Sequence, residues 1–410
     1  MNKCEIYTGD CLAVLKGMPD KSVHTCVTSP PYFGLRNYDV DGQIGLEETP
    51  DEYIEKLVNV FEQVRRVLRD DGTLWLNLGD SYAGGNTNGK WREGSARADG
   101  EVRGDGNNSR RNRNGIGAIN GLKPKDLMGI PWRVALALQA RGWYLRQDII
   151  WAKGCSGNYR GGAVMPESVQ DRCTRAHEYV FLLSKSQRYY YDSEAVREPN
   201  VDTERVNYVP GREAYSVGNV HDASGRERRN EGLAAYKDGK ACIGRNRRSV
   251  WAINTKPYSS AHFATYPLKL IEPCVKAGTS EKGCCSKCGA PLERIIEKGF
   301  TSHDGKTESA YDQKTTANRL ALLRQAARER GEEYANIKKT IGWKAACNCE
   351  SATKPCIVLD PFFGAGTTGI VAGQLGRDCV GIEINPEYVE LAADRIKKEI
   401  GLLVKTEVKK

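Results

Sequence analysis

The sequence has no long apolar run, and this absence limits the class of protein that it can encode. Its longest apolar segments, such as 134–138 and 180–183, fall far short of the roughly 20 residues that a membrane-spanning helix needs. The N-terminal residues MNKCEIYTGD also lack the apolar core of a secretory signal. We therefore predict a protein without membrane spans that stays inside the cell that makes it.

The composition is that of an ordinary globular protein. Of the 410 residues, 40% are hydrophobic and 28% are charged, which argues against a disordered chain or a small disulfide scaffold. The 14 cysteines, in a chain with no secretory signal, are expected to be thiols or metal ligands. The net charge of +9 favours a polyanionic partner.

Strand-like and helix-like patterns alternate at both ends of the chain, which predicts a parallel sheet with crossover helices. The predicted strands are 5–7, 22–27, 73–78, 144–152, 179–183, 356–360 and 379–384, and the predicted helices are 11–18, 51–68, 127–139, 366–375 and 386–399, the last with Asn385 as N-cap. Two polar tracts interrupt the pattern and carry the arginines Arg110, Arg111, Arg113, Arg226, Arg228, Arg229, Arg245, Arg247 and Arg248. Each tract is either a solvated loop or a nucleic-acid contact surface.

A glycine loop connects a predicted strand to a predicted helix near the C-terminus. Gly364, Gly366 and Gly369 fit a dinucleotide-binding pattern, and Glu383 ends the next strand, where it could hold ribose hydroxyls. The glycines alone do not separate NAD from S-adenosylmethionine. Asp360 ahead of them favours S-adenosylmethionine, because a carboxylate suits an amino-acid ammonium group better than a pyrophosphate.

A second loop, Thr28-Ser29-Pro30-Pro31-Tyr32, ends a strand near the N-terminus. Two successive prolines fix the backbone and aim its carbonyl groups. Hydrogen bonds from an aromatic amine to the Ser29 hydroxyl and the Pro30 carbonyl would favour a tetrahedral nitrogen whose lone pair faces a methyl donor. Tyr32 could stack on the base. Taken together, the two loops predict methyl transfer to an amino group.

With these motifs the chain resembles the permuted β group of amino-methylating DNA methyltransferases. The resemblance covers Gly9-Asp10, Thr28 to Tyr32, Ile130 to Arg133, Gly142 to Lys153, Asp171-Arg172, His177 to Tyr179, His262 to Pro267, Asp360 to Gly369 and Glu383. It implies a circularly permuted, Rossmann-like α/β fold with an inserted target-recognition region. It also implies a cytoplasmic protein of a prokaryote or a phage.

The resemblance assigns roles to individual residues. It implies a catalytic loop of Ser29, Pro30, Pro31 and Tyr32, and it makes Asp10 the ligand of the cofactor's adenine and Glu383 that of its ribose. The remaining cofactor contacts that it implies are Thr28, His262, Phe263, Thr265, Tyr266, Asp360, Phe362, Gly364, Gly366 and Thr367. Cys11 and Cys26 are expected to be packing residues, since direct transfer needs no cysteine.

The expected partner is duplex DNA with the target base flipped out of the stack. In the family, Ser at the first loop position goes with cytosine-N4 and Asp or Asn with adenine-N6, so Ser29 favours cytosine. A catalytically inactive DNA-binding relative, an NAD-dependent oxidoreductase and an RNA or protein methyltransferase are the alternatives. The sequence leaves open whether the chain forms a homodimer, and no nuclease is evident within the chain.

Four cysteines predict a structural zinc site, with free thiols as the alternative. Cys285 and Cys288 form a C-x-x-C pair followed by glycine, and Cys347 and Cys349 could complete the set, although C-x-C departs from the usual second pair. The predicted division is into methyltransferase segments 1–83, 126–193 and 351–410, a basic loop 84–125, target recognition 194–255, a cofactor-covering segment 256–280, and a zinc module 281–350 with a charged helical insertion at 315–339.

Overall fold

The computed structural model describes residues 2–35, 37, 40–83, 122, 123, 125–154, 164, 167–198, 245–255, 266–302, 307–309 and 334–409. The chain divides into two units. Unit 1 comprises Met1–Tyr191, Ser249–Glu281 and Pro355–Lys410, and unit 2 comprises Asp192–Arg248 and Lys282–Lys354. None of the described helices is long and apolar enough to cross a membrane.

The secondary structure alternates between strands and helices over most of unit 1. The strands in chain order are β1 Asn2–Thr8, β2 Val23–Thr28, β3 Leu68–Leu78, β4 Tyr144–Ala152, β5 His177–Ser184, β6 Val250–Ala252, β7 Cys284–Cys285, β8 Leu292–Ser302, β9 Thr307–Ser309, β10 Tyr334–Ala345, β11 Thr353–Lys354, β12 Ile357–Asp360, β13 Asp378–Glu383 and β14 Val404–Lys409. The helices are α1 Cys11–Gly17, α2 Pro50–Val67, α3 Ile130–Ala140, α4 Leu268–Gly278, α5 Thr367–Gln374 and α6 Pro386–Ile400.

Unit 1 is built on one nine-stranded sheet in the order β14-β1-β13-β12-β2-β3-β5-β4-β6. Its neighbouring strands are parallel, except that β5 runs antiparallel to both β3 and β4. The predicted Rossmann-like α/β architecture is confirmed, and the strands from the two alternating ends of the chain are parallel as predicted. Strand β5 comes from the middle of the chain, and none of the described residues between β4 and β5 is helical; antiparallel neighbours need no crossover helix.

The two faces of the sheet pack against different helices. Cys26 and Leu74 belong to the apolar core that α1, α2 and α3 form over one face. The alternate residues Thr25 and Thr73 face α4, where a Cβ added to Gly278 would lie only 2.5 Å from the Thr25 hydroxyl. Successive strand residues point to opposite faces, so this alternation gives the unit three layers.

The helices that flank the sheet begin where their sequences predict. Thr49 accepts a hydrogen bond from the Glu52 N–H at the start of α2, and Asn385, the predicted N-cap of α6, accepts one from the Glu387 N–H. The apolar face of α2 is buried, as its helical spacing predicts, through Tyr53, Leu57, Val58, Val60, Phe61, Val64 and Val67.

Unit 2 contains two small antiparallel sheets, β10-β8-β9 and β7-β11. Strand β10 begins at Tyr334, so the predicted helical insertion at 315–339 is wrong for residues 334–339. Pairing of β10 with β8 outweighs the helix propensity of this lysine-containing stretch. Residues 315–333 of that prediction lie outside the described residues, as do most of the basic tract 84–125 and residues 199–244.

Two further elements of unit 1 differ from expectation. Strand β3 begins at Leu68 and runs through Asp70 to Gly72, whereas the sequence predicts a strand only from residue 73. Strand β14 was not predicted, because its charged sequence VKTEVK resembles a solvated tail; it pairs with β1.

Candidate active site

The predicted site residues meet at the carboxyl edge of the unit 1 sheet. Asp10 follows β1, Glu383 ends β13, Asp360 ends β12 and Ser29 follows β2, and these four strands are consecutive and parallel. The chain leaves β12 towards β13 but leaves β2 towards β3, so the connections diverge between β12 and β2. Such a divergence opens a crevice at the carboxyl ends of the strands.

The glycine loop has the backbone that its sequence predicts. Gly364 has φ +50° and Gly366 has φ +75°, both in the left-handed region that favours glycine. A Cβ on Gly366 would lie 3.0 Å from the Cβ of Ala392, so the loop packs directly on α6. The Arg395 guanidinium donates to the Thr367 hydroxyl (3.0 Å), which ties α6 to the first turn of α5.

Asp360 is fully buried, and four donors from different segments surround it. Its Oδ1 accepts from the Thr28 hydroxyl (2.6 Å) and the Phe362 N–H (3.1 Å), and its Oδ2 accepts from the hydroxyls of Tyr266 (2.9 Å) and Thr368 (2.6 Å). Burial raises the pKa of Asp360 from 3.8 to about 6, although the four hydrogen bonds oppose this shift. The carboxylate therefore joins the ends of β2 and β12 to α5 and to the segment before α4.

Glu383 and Asp10 lie at the ends of paired strands. The carboxylate of Glu383 accepts from the Gly364 N–H (2.8 Å) and the Asn385 N–H (3.0 Å). Burial raises the pKa of Glu383, while these N–H donors act against the shift. Asp10 is exposed and caps α1 by accepting from the Ala13 N–H (2.8 Å). The two acids thus face the edge beside the glycine loop.

The Ser-Pro-Pro-Tyr loop is held by contacts from α2 and β3. The Tyr53 hydroxyl donates to the Pro31 carbonyl (2.8 Å), and the Ser29 Oγ lies 3.5 Å from the Tyr32 Oη. A Cβ added to Gly79 would lie 2.5 Å from the Tyr32 ring, so the ring rests against the backbone at the end of β3. Only glycine at position 79 leaves room for the ring in this place.

A charged network that the sequence analysis did not identify fixes the Tyr32 hydroxyl. This hydroxyl donates to the Glu178 carboxylate (2.7 Å), which also accepts from the Asn77 amide (3.2 Å) and forms an ion pair with Lys153. Lys153 lies 4.6 Å from the centre of the Trp151 ring. Burial, followed by the Glu178 charge, raises the pKa of Tyr32 well above its usual value. Glu178, the second residue of β5 and directly ahead of the apolar run 179–183, was the available sequence signal.

The other residues named from the sequence are two further loop residues, two cysteines predicted to be packing residues, and three cofactor contacts. Pro30 lies in the same loop as Ser29, and Phe362 packs against the apolar core. Cys11 and Cys26 are buried in that core, and burial raises the pKa of Cys11 to about 12, which makes a reactive thiolate unfavourable. Three predicted cofactor contacts lie outside the described residues: His262, Phe263 and Thr265.

The basic cluster near residue 247 is partly neutralised within unit 2. The guanidinium groups of Arg245 (3.2 Å) and Arg248 (2.9 Å) both form ion pairs with the Glu198 carboxylate. Burial acts to raise the pKa of Glu198, but the hydrogen bonds from Arg248 and Arg245 together outweigh it and lower the pKa. These two arginines therefore offer less charge to a polyanion than their sequence suggests. The arginines of the predicted clusters at 110–113 and 226–229 are not among the described residues.

The four cysteines of the predicted metal site converge in unit 2. The sulfur atoms of Cys285, Cys288, Cys347 and Cys349 all lie within 4.8 Å of one another. Cys285 is buried, Cys288 is exposed and the other two are half-buried. Cys274 and Cys356, two other cysteines of the chain, are not members of this cluster.

Known proteins resemble this chain over most of its length. A family model described as DNA methylase matches residues 23–285 and 350–394. The type II methyltransferase M.Cfr9I of Citrobacter freundii is 37% identical over 97% of this chain and 89% of that protein. The type II methyltransferase M.XycI of Xanthomonas campestris pv. cyanopsidis is 38% identical over 96% of this chain and 87% of that protein.

Among solved structures, the PvuII DNA methyltransferase (cytosine-N4-specific) matches at a TM-score of 0.47 and 16% identity, over 96% of this chain and 87% of that chain. The family model covers more than half of the chain, and the two relatives match nearly all of it. The chain therefore belongs to the DNA methylase family of N6 and N4 amino-methyltransferases.

Proposed function

We propose that this chain transfers a methyl group from S-adenosylmethionine to the exocyclic N4 amine of a cytosine in duplex DNA. One contact carries the proposal: the Thr28 hydroxyl, next to the Ser-Pro-Pro-Tyr loop, donates to Asp360, next to the glycine loop, over 2.6 Å. Two motifs from opposite ends of the sequence thereby border one crevice. A methyl donor held by one loop would lie beside an amine held by the other.

The residues at the glycine loop fit S-adenosylmethionine. The four donors around the buried Asp360 carboxylate are neutral, so they satisfy its hydrogen bonds without cancelling its negative charge. That charge can therefore stabilise a nearby ammonium group electrostatically. Glu383 has two carboxylate oxygens at the edge, where they would accept from ribose hydroxyls, and Asp10 would accept from the adenine amine. When bound, S-adenosylmethionine supplies an electrophilic methyl group on its sulfonium.

The prolyl loop would orient the target amine. In the proposed arrangement the Ser29 hydroxyl and the Pro30 carbonyl accept hydrogen bonds from the two N–H groups of the amine, which turns the nitrogen lone pair towards the donor. Tyr32 would hold the base flat against its ring. Because Glu178 and Gly79 fix the Tyr32 ring from two sides, the loop is preorganised for this task.

The target base must leave the helical stack, since an amine inside a duplex cannot reach a loop at the edge of a sheet. Cytosine is proposed over adenine because Ser stands at position 29, as it does in the cytosine-N4 enzymes that the sequence resembles. Adenine-N6 methylation is the second candidate, because both amines can donate to the same two acceptors.

The decisive experiment follows labelled methyl groups into DNA. DNA without methylated bases is incubated with the protein and S-[methyl-³H]adenosylmethionine and is then digested to nucleosides. The methylated nucleoside is identified by mass spectrometry. N4-methylcytosine is the expected product. N6-methyladenine alone would overturn the choice of base, and label in RNA or protein but not in DNA would overturn the substrate. A folded protein that binds the cofactor without transferring label would be an inactive relative, and binding of NAD in its place would indicate an oxidoreductase.

A matched pair of serine variants tests the role of the loop. Ser29→Ala removes the proposed acceptor at the carboxyl end of β2, and we expect transfer to slow by about tenfold or more with cofactor affinity retained. Ser22 lies just before the other end of the same strand, where its hydroxyl donates to the Pro19 carbonyl (2.7 Å). Ser22→Ala should leave transfer unchanged. Equal effects of the two substitutions would contradict the proposed role of Ser29.

A further inference from the structure

The four-cysteine cluster of unit 2 has the dimensions of a tetrathiolate metal site. Four sulfurs at the Zn–S distance of about 2.3 Å in a tetrahedron are about 3.8 Å apart. The sulfurs of Cys285, Cys288, Cys347 and Cys349 lie within 4.8 Å of one another, so small side-chain rotations would bring them onto one ion. Two disulfides would need only two close pairs of sulfur atoms, whereas here each of the four sulfurs lies close to the other three.

The backbone around the first cysteine pair forms a tight knuckle. The Gly289 N–H donates to the Cys285 carbonyl (2.9 Å), and Gly289 has φ +71°, which favours glycine at this position. The backbone N–H groups of Cys288 and Lys287 are hydrogen-bonded to the Cys285 thiol. The turn therefore directs two backbone N–H groups at the sulfur of the first cysteine.

The second pair arrives from a distant part of the sequence. Strand β8 begins at Leu292, just after the first pair, and pairs with β10, which ends at Ala345, just before Cys347. The pair Leu292 and Ala345 therefore closes the ladder at the end where the cysteines lie. The strands β7 and β11 pair beside the same cluster, with Cys285 opposite Thr353. Four segments of backbone thus meet at the sulfurs.

We infer that Cys285, Cys288, Cys347 and Cys349 bind one structural zinc ion that holds together the base of the β8–β10 strand pair. Four thiolates leave no coordination position for water or substrate, so the ion would have a structural and not a catalytic role. Zinc is favoured over harder divalent cations because all four ligands are soft sulfur atoms. The ion would fix the ends of a segment of nearly 60 residues between the two cysteine pairs.

The first measurement is metal content. The full chain is purified in reducing buffer without chelators, and zinc is determined by plasma mass spectrometry. About one equivalent per chain is expected, and titration with an organomercurial should release it in step with modification of the thiols. Less than about half an equivalent, with no uptake of added zinc, would overturn the inference. A protein mass that shows two disulfides in place of four thiols would overturn it too.

Substitutions then locate the ion. Cys349→Ser should lose most of the zinc, whereas Cys173→Ser, which removes an exposed cysteine of unit 1, should keep it. Equal zinc content in both variants would contradict the assignment. If Cys349→Ser does not fold, cobalt added to the metal-depleted wild-type chain gives the answer. Tetrahedral thiolate cobalt has intense visible absorption and sulfur-to-metal charge-transfer bands, and a weak octahedral spectrum would exclude a four-sulfur site.

Discussion

The buried carboxylate of Asp360 should destabilise unit 1 at neutral pH. The folded pKa is raised from 3.8 to about 6, and at about 1.36 kcal/mol per pH unit this difference corresponds to about 3 kcal/mol. A folded pKa above the unfolded one means that the native state holds the proton more tightly. The associated stability is therefore fully present below pH 3.8 and is lost as pH rises through about 6.

Asp360→Asn isolates this effect because the amide fits the same partners. Its carbonyl oxygen can still accept from Thr28 and the Phe362 N–H, and its NH₂ group can donate to Tyr266 and Thr368 if their hydroxyls rotate. The unfolding free energy of the wild type minus that of the variant should fall by about 2.4 kcal/mol between pH 4 and pH 7, because part of the ~3 kcal/mol is already lost by pH 4. Groups that titrate equally in both proteins cancel in this difference.

The assay is urea unfolding of both proteins at several pH values, followed through the transition of unit 1 by tryptophan fluorescence. The same preparations are tested for S-adenosylmethionine binding by calorimetry, where Asp360→Asn should bind much more weakly. Asp70→Asn is the control, since a hydrogen bond from Lys21 lowers the pKa of this exposed acid. The unfolding free energy of the wild type minus that of Asp70→Asn should therefore rise with pH, and only slightly. A free-energy difference for Asp360→Asn that stays constant within about 1 kcal/mol from pH 4 to 7 would refute the reasoning.

Three further predictions concern the groups around the two loops. Glu178→Gln removes the charged acceptor of the Tyr32 hydroxyl, so the kcat of methyl transfer should fall by about tenfold or more while cofactor affinity, measured by calorimetry, stays the same. Gly79→Ala should displace the Tyr32 ring and slow single-turnover transfer, whereas Gly17→Ala, whose Cβ meets nothing within 4 Å, should not; a Gly79→Ala enzyme with full activity would contradict the described ring position. Tyr266→Phe removes a donor that lowers the pKa of the buried carboxylate, so the acidic limb of cofactor binding should move to higher pH, and an unmoved limb would count against the network.

The sequence was most informative where local pattern and tertiary environment agree. Strand β4 was predicted over its full length, and the N-cap of α6 at Asn385 is present. Strand β3 extends across Asp70 to Gly72 because Leu68 pairs with Val23 of β2 on one side of an irregularity and Thr73 pairs with Thr25 on the other. The carbonyls of Asp71 and Gly72 also accept from the Tyr190 and Lys185 N–H groups, and a local turn signal cannot report such partners. The same holds for β10, whose pairing with β8 decides its conformation.

The candidate site divides along similar lines. Asp10, Ser29, Asp360 and Glu383 could be predicted to share an edge because each follows or ends a parallel strand. The bond from Tyr32 to Glu178 could not, since 146 positions separate the two residues and neither sequence neighbourhood specifies the other. The hydrogen bonds to Asp360 from Thr28 and Tyr266 were equally inaccessible, because 332 and 94 positions separate these donors from the carboxylate.

The position of β12 between β13 and β2 has a consequence for biosynthesis. The contact from Thr28 to Asp360 spans 332 positions, which a ribosome covers in roughly 15 to 70 s at about 5–20 residues per second. Throughout that interval β2 is already made while its central neighbour is not, so the nascent chain exposes an unpaired apolar strand edge. Chaperone binding to this edge during translation would protect a chain that gains its methyl-transfer crevice only when the last sheet strands have been synthesised.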